Sequence, residues 1–310
     1  MTLQQLLYIV ALDDHRHFVK AAESCFVAQP TLTLQVKKLE EEVGITLFDR
    51  TSQPLVPTPM GEQFILKARE ILRGAESLKE MVNSEKEQLT GTYTLGIIPT
   101  LAPYLLPRFI KKFCDFHPGV KLEIKEMQST QILKALKSNL LNIGIMATPV
   151  DDNSIREIPL FYEPFLVFAS EGHFLLQKQE VEPGDIVEEG LWLLNEGHCF
   201  RNQVLNICNK TSELPSHPGL SFESGSIETI KNMVRSDMGY SLIPELSINN
   251  LMDKDLVRRF KEPQLTREIS LVVHHSFTKE VLLDHMRKSI VDHIPDDFKR
   301  NNRVVRVKWR

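Results

Sequence analysis

The chain has 310 residues, 42% of them apolar and 25% charged, with a formal net charge of -4; this is the composition of a soluble globular protein of about two or three domains. No apolar stretch approaches the ~18 residues of a membrane-spanning helix. Asp13, Asp14 and His15 interrupt the early apolar run, which argues against a signal peptide, and the four cysteines, neither dense nor evenly spaced, point to a reducing cytosol where a disulfide would be transient and regulatory.

Leu3, Leu6, Leu7, Val10 and Ala11 recur at helical spacing. Phe18, Ala21 and Ala22 start a second, short helix. A third opens at Gln29-Pro30, where proline suits the first helical position, and carries Leu32, Val36 and Leu39 on one face. Two short helices joined by a brief turn, the second polar at its start, describe a helix-turn-helix. Gln29, Thr31 and Thr33 would contact base edges and Lys37 a phosphate. The plain alternative is a small bundle with a solvated polar face, and Glu40, Glu41 and Glu42 weaken any argument from charge. Ile45 to Val56 reads as a β-hairpin wing, from which Arg50 could reach a phosphate or the minor groove.

Thr58 can cap a long helix with Pro59 at its first position. Along it Phe64, Ala68, Ile71, Ala75, Leu78 and Val82 repeat at spacings of 4 and 3 residues. That heptad seam predicts a two-stranded coiled coil, and so a dimer, unless it packs on its own domain. Gly91 ends the linker.

From Thr92 the pattern alternates between strand and helix. Strands are expected around Tyr93–Ile97, Val120–Ile124, Ile143–Met146, Phe165–Phe168, Gly239–Pro244 and Glu268–Val273. Helices are expected over Ala102–His117, Gln131–Leu140, Ile227–Val234 and Glu280–Ile294. This alternation implies a mostly parallel sheet covered by helices. The last segment, 299–310, carries Lys299, Arg300, Arg303, Arg306, Lys308 and Arg310 with no acid. It would be a solvated tail or an aid to DNA affinity through phosphate neutralisation.

Cys199 and Cys208 bracket a run that suits a helix, with no Pro or Gly between them. Nine residues of helix rise roughly 13.5 Å and turn about 900°, so the thiols face opposite sides. A disulfide needs Cα atoms within about 7 Å, so any bond between them requires the segment to unwind. His198, Arg201 and a helix start would stabilise the Cys199 thiolate and lower its pKa. Cys208, beside Ile207, reads as buried. Two inert core thiols are the bland alternative, and Cys25 and Cys114 read as buried structural thiols.

Ala21-Ala22, Gln29-Pro30-Thr31-Leu32-Thr33, Leu39-Glu40, Gly44-Ile45 and Leu47-Phe48-Asp49-Arg50 resemble the winged helix-turn-helix of LysR-type transcriptional regulators. Ala28 departs from the serine frequent there as a cap. The two αβ sets resemble the two-lobed, periplasmic-binding-protein-like effector domain of the same family. Gly96-Ile97-Ile98-Pro99-Thr100, Pro103-Tyr104-Leu105-Leu106-Pro107, Glu196-Gly197-His198-Cys199-Phe200-Arg201 with Cys208, and Glu228-Thr229-Ile230-Lys231-Asn232-Met233-Val234 resemble its hydrogen-peroxide-sensing members. The resemblance implies a peroxidatic Cys199, a resolving Cys208, and a peroxide pocket of Thr100, Ser129, His198 and Arg267. Ser129 stands where threonine is typical, and Asn202 where aspartate is common, a change expected to bear on proton handling.

The expected organisation is therefore α/β. It comprises a winged helix-turn-helix over 1–57, a dimerising linker helix over 58–90, one effector lobe from 91–163 and 267–298, a second from 164–266, and a basic tail over 299–310. No metal, hydrolase or nucleotide motif is present, and His274-His275, pointing to opposite faces of a strand, make a poor metal site. The expectation is a cytoplasmic activator of peroxide-defence genes, not an enzyme. It would need no cofactor, with hydrogen peroxide as the signal. Its partners would be double-stranded DNA, RNA polymerase, a thiol reductant such as a glutaredoxin or thioredoxin, and copies of itself in a homodimer or homotetramer, with no membrane. The competing readings are a family member answering a small metabolite in the interlobe cleft, and a thiol peroxidase.

Overall fold

A computed structural model describes residues 1–52, 54–83, 89–187, 189–208, 223–299 and 304–308, with the side chains of 76, 77 and 79–83 left out. The chain divides into two compact units, Met1–Glu87 with two short later segments, and the remainder.

In the first unit, α1 (Leu3–His15), α2 (Phe18–Ser24) and α3 (Gln29–Val43) are followed by the strands β1 (Phe48–Asp49) and β2 (Val56–Pro57) and by the long α4 (Pro59–Asn83). β1 and β2 pair antiparallel as the wing. Thr2 and Gln5 cap α1 reciprocally, and Gly44, at φ 73°, ends α3 in the left-handed conformation. Thr58 Oγ1 accepts from the Gly61 N–H at 2.9 Å, capping α4. The core gathers Leu6, Ile9, Leu12, Leu32, Val36, Leu39 and Phe48.

The seam of α4 is split. Ala68 is buried in this core and Phe64 packs against it, so its first two positions serve their own domain. Ile71 and Leu78 are exposed, Ala75 is half-buried, and the side chain of Val82 lies outside the described residues. Buried Arg69 fixes α4 to α1 through Asp13, at 2.8 Å, and Asp14.

The second unit begins with β3 (Gly91–Ile97), α5 (Ala102–Phe116), β4 (Val120–Glu126), α6 (Ser129–Lys137), β5 (Ile143–Thr148) and β6 (Ile155–Ala169). Then follow β7 (Glu180–Val181), β8 (Leu191–Trp192), α7 (Cys199–Ile207), α8 (Ile227–Arg235), β9 (Tyr240–Pro244), β10 (Val257–Phe260), β11 (Gln264–His274), α9 (Glu280–Val291) and β12 (Val304–Arg306). β3 pairs parallel with β4 and β5, and β8 with β9. The sheet is mixed rather than mostly parallel, because two long strands run antiparallel through its centre. β11 pairs antiparallel with β5 and β6, and β6 with β9 and β10. The first half of β6, Ile155–Pro164, was not anticipated. Its pattern is only partly buried and lacks the continuous apolar run of Phe165–Ala169.

The C-terminal segment is not a solvated tail. β12 pairs parallel with β11, Arg306 Nη1 donates to Glu268 Oε2 at 2.7 Å, and Val307 is buried in the core around β6, β9 and α7. Lys299 pairs with Asp296 at 2.6 Å. Arg300, Arg303 and Arg310 lie outside the described residues.

Candidate functional site

Gly197 starts the site. Its φ is +89°, a conformation that favours glycine, and a Cβ there would lie 2.4 Å from Gln128 Oε1, so a larger residue would also have to displace the end of that side chain. The turn presents His198 in extended conformation at the N-cap and Cys199 as the first residue of α7. No side chain caps the helix; of its first amides, that of Phe200 meets the thiol and that of Arg201 donates to the His198 carbonyl at 3.1 Å.

Cys199 is buried, at 3% exposure. Its sulfur meets the Ser129 hydroxyl, the backbone amides of Phe200 and Ala147, and the field of Arg267, all of which favour the thiolate. Burial outweighs them and pushes the thiol above its ordinary value. The expected depression of its pKa is therefore corrected: with the sulfur buried, the charged form loses more hydration than these groups return. His198 is corrected likewise. Burial lowers its pKa, so near neutral pH its imidazole is uncharged. The cation acting on the sulfur is Arg267; Arg201 is buried and donates to the Leu194 carbonyl at 3.1 Å.

Arg267 is fully buried. Its Nη1 donates to Thr100 Oγ1 at 2.9 Å and its Nη2 to the Thr100 carbonyl at 3.1 Å. Its Nε donates to Glu163 Oε2 at 2.8 Å, and the guanidinium lies 5.1 Å from the centre of the Phe200 ring. Its ion-pair partner is Glu163, which is itself fully buried. The β6–β11 register sets Glu163 opposite Arg267. Thr100 uses its hydroxyl on Arg267, and Leu101 occupies the N-cap of α5.

Ser129, the first residue of α6, is buried. Its Oγ faces the Cys199 sulfur and makes no hydrogen bond of normal geometry among the described residues. A buried hydroxyl in that condition is ready for a small polar guest. On the side of His198, a Cβ on Gly225 would lie 2.9 Å from Nε2, so Gly225 makes room for the imidazole. Cys199, Thr100, Ser129 and Arg267 thus come together, with His198 adjacent in the chain. Glu163, Phe200, Ala147, Gln128 and Gly225 also build the site and were not singled out in the sequence.

Cys208 follows the last turn of α7 as its C-cap and is buried in the core of the second lobe. Both Cys199 and Cys208 are free thiols, and the intact helix holds them on opposite faces. Asn202 is exposed. Cys25 is half-buried, with its pKa raised by burial. Cys114 is exposed, not buried, because it falls on the outer side of α5, whose inner face carries Leu105, Phe109 and Phe113. The His274 and His275 rings lie 4.2 Å apart instead of on opposite faces, since β11 ends at His274 and the pleat ends with it. Among the described residues, no group of three or more His, Cys, Asp or Glu could hold a metal.

At the start of α3, Gln29, Pro30, Thr31 and Lys37 are exposed and Thr33 is half-buried. Thr33 Oγ1 donates to the Gln29 carbonyl at 3.0 Å. Ala28 provides no side-chain cap. Lys37 lies 3.7 Å from Glu41. Arg50 donates to Glu40 at 2.6 Å and covers the Phe18 ring.

Residues 3–62 match the family described as bacterial regulatory helix-turn-helix protein, lysR family, and residues 86–294 match the LysR substrate binding domain. The chain is 36% identical over 274 residues to the DNA-binding transcriptional dual regulator OxyR of Escherichia coli K12, a match covering 88% of this chain and 89% of that relative. It is similar to a full-length OxyR mutant from Pseudomonas aeruginosa with a TM-score of 0.81 and 34% identity, covering 94% of this chain and 98% of that one. It is also similar to a hydrogen-peroxide-bound OxyR mutant from Corynebacterium glutamicum, with a TM-score of 0.61 and 27% identity over 94% and 92% of the two chains. The chain belongs to the LysR family of bacterial transcriptional regulators.

Proposed function

We propose that this chain is a peroxide-sensing transcription activator that binds DNA as a dimer or tetramer and is switched by oxidation of Cys199. The observation that carries the reading is the buried Cys199 thiol, with the buried Ser129 hydroxyl facing its sulfur and the Arg267–Thr100 pair beside it. Relatives named as hydrogen peroxide-inducible genes activators support it.

The Cys199 sulfur attacks one peroxide oxygen and the O–O bond breaks. The departing oxygen leaves as hydroxide, takes up the thiol proton and becomes water; the sulfur becomes a sulfenic acid. Arg267 and the hydroxyls of Thr100 and Ser129 bear the charge on that oxygen. Cys208 sulfur then attacks Cys199 sulfur, the S–O bond breaks, and a second water leaves with the Cys208 proton. The second step requires α7 to unwind, and that refolding is the signal. A glutaredoxin or thioredoxin would reverse it, in the cytoplasm, and the activated form would engage RNA polymerase at peroxide-defence genes. Gln29, Thr31 and Thr33 would face base edges, and Lys37 and Arg50 phosphates; Ile71, Ala75 and Leu78 would continue the subunit seam.

Peptide mapping under non-reducing conditions tests the reading. Reduced protein receives one equivalent of hydrogen peroxide for seconds and is then alkylated. A Cys199–Cys208 linkage with Cys25 and Cys114 alkylated is expected. Four alkylated thiols, with DNA binding intact, would overturn it and direct attention to a metabolite in the interlobe cleft.

A further inference from the structure

The segment Val304–Lys308 holds the redox helix. Gln203 Nε2 donates to the Val307 carbonyl at 2.9 Å, and Asn206 Nδ2 to the Lys308 carbonyl at 2.8 Å. The segment is itself anchored elsewhere. Val304, Val305 and Arg306 pair with Gln264, Leu265 and Thr266 of β11. The Val307 N–H donates to the Thr266 carbonyl at 2.9 Å, and Val307 is buried in the core of the second lobe. Arg306 binds Glu268 and covers the Tyr162 ring. The anchorage ends beside Arg267, the cation of the thiol site.

Helix geometry decides what this contact does. Gln203 and Asn206 follow Cys199 by four and seven residues, so all three lie on one face of α7. Cys208, nine residues on, lies on the opposite face. The strap therefore grips the face that carries Cys199, across its second and third turns. These are the turns that must open before the Cys208 sulfur can approach. The first step, attack on peroxide, leaves the helix in place and does not load the strap.

We propose that Gln203 and Asn206 are positioning residues for the disulfide-forming step, acting through the strap 304–308 to set how readily α7 unwinds once Cys199 is oxidised. The proposal rests on the peroxide-sensing reading. The strap delays the second step and leaves the first untouched, so it meters the lifetime of the sulfenic acid.

The two steps are read separately on the full chain: dimedone trapping of Cys199 sulfenic acid in a Cys208→Ser background, and quenched-flow appearance of the Cys199–Cys208 bond in the parent. Asn206→Ala, at an exposed position, keeps the fold; deletion of 304–310 removes the whole strap. Loss of each hydrogen bond should speed disulfide formation about three- to tenfold, with sulfenic acid formation within about twofold of the parent. An unchanged disulfide rate in both variants, while sulfenic acid forms normally, overturns the strap. Equal acceleration of both steps also overturns it, since that is general loosening. A parent that forms neither sulfenic acid nor disulfide overturns the peroxide reading and the strap with it.

Discussion

The helices α3 and α7 both begin without a side-chain cap, at Ala28 and His198, and both place their candidate functional residues at the start. There the likeness ends. α3 has 15 residues, is closed by Gly44 in the left-handed conformation, and rests on Leu32, Val36 and Leu39. α7 has nine residues and ends at Cys208 in right-handed conformation, without a glycine cap. A helix shorter than about 12–15 residues is marginal alone in water, so α7 exists because Phe200, Val204 and Ile207 are buried and because Gln203 and Asn206 are held from outside. On the proposed reading, the first helix keeps its shape while its surface residues meet DNA, and the second loses its shape when one buried sulfur is oxidised.

The largest expected effect separates the two. Cys199→Ser should abolish the peroxide response in a transcription assay and leave the DNA affinity of the reduced protein unchanged; loss of both would show that the helices are not independent. Next, Arg267→Ala leaves Glu163 buried without its counter-charge, which should cost about 3–5 kcal/mol in chemical denaturation of the effector unit. Adding Glu163→Gln should recover part of that loss, and no recovery would mean that packing on Phe200 dominates.

A third prediction concerns pH. Because burial raises the Cys199 thiol, and the thiolate is the nucleophile, its oxidation should quicken about tenfold per pH unit from neutral upward. A rate already flat at neutral pH would mean that peroxide entry reverses the effect of burial. The smallest effect belongs to α3. Ala28→Ser supplies the missing cap on a backbone already extended at φ -70°, ψ 141°. It should stabilise the first unit by about 0.5–2 kcal/mol, seen in thermal melting, with no change in peroxide response.

What the sequence made legible follows the same division. The helices of the first unit, their caps and the exposed start of α3 depend on local spacing, which a chain displays directly. The thiol site depends on pairings that it does not display. Thr100 and Arg267 are 167 residues apart and came only through family resemblance. Glu163 came through neither, because only the β6–β11 register makes it the partner of Arg267. The direction of the Cys199 pKa is hidden from the sequence for a related cause. Adjacent cations are visible in a sequence, whereas burial, which dominates here, is a property of the packed lobe. The C-terminal segment shows only its charges until β11 is there to receive it.

The contrast between Cys199 at 3% exposure and Cys114 at the surface has a chemical corollary. An oxidant must enter the packed lobe before it can react with Cys199, so molecular size sorts reagents ahead of reduction potential. On the proposed reading, a two-oxygen molecule should reach Cys199 more readily than a bulky disulfide, which would meet the exposed Cys114 first, so selectivity would be a matter of admission more than of thiol reactivity.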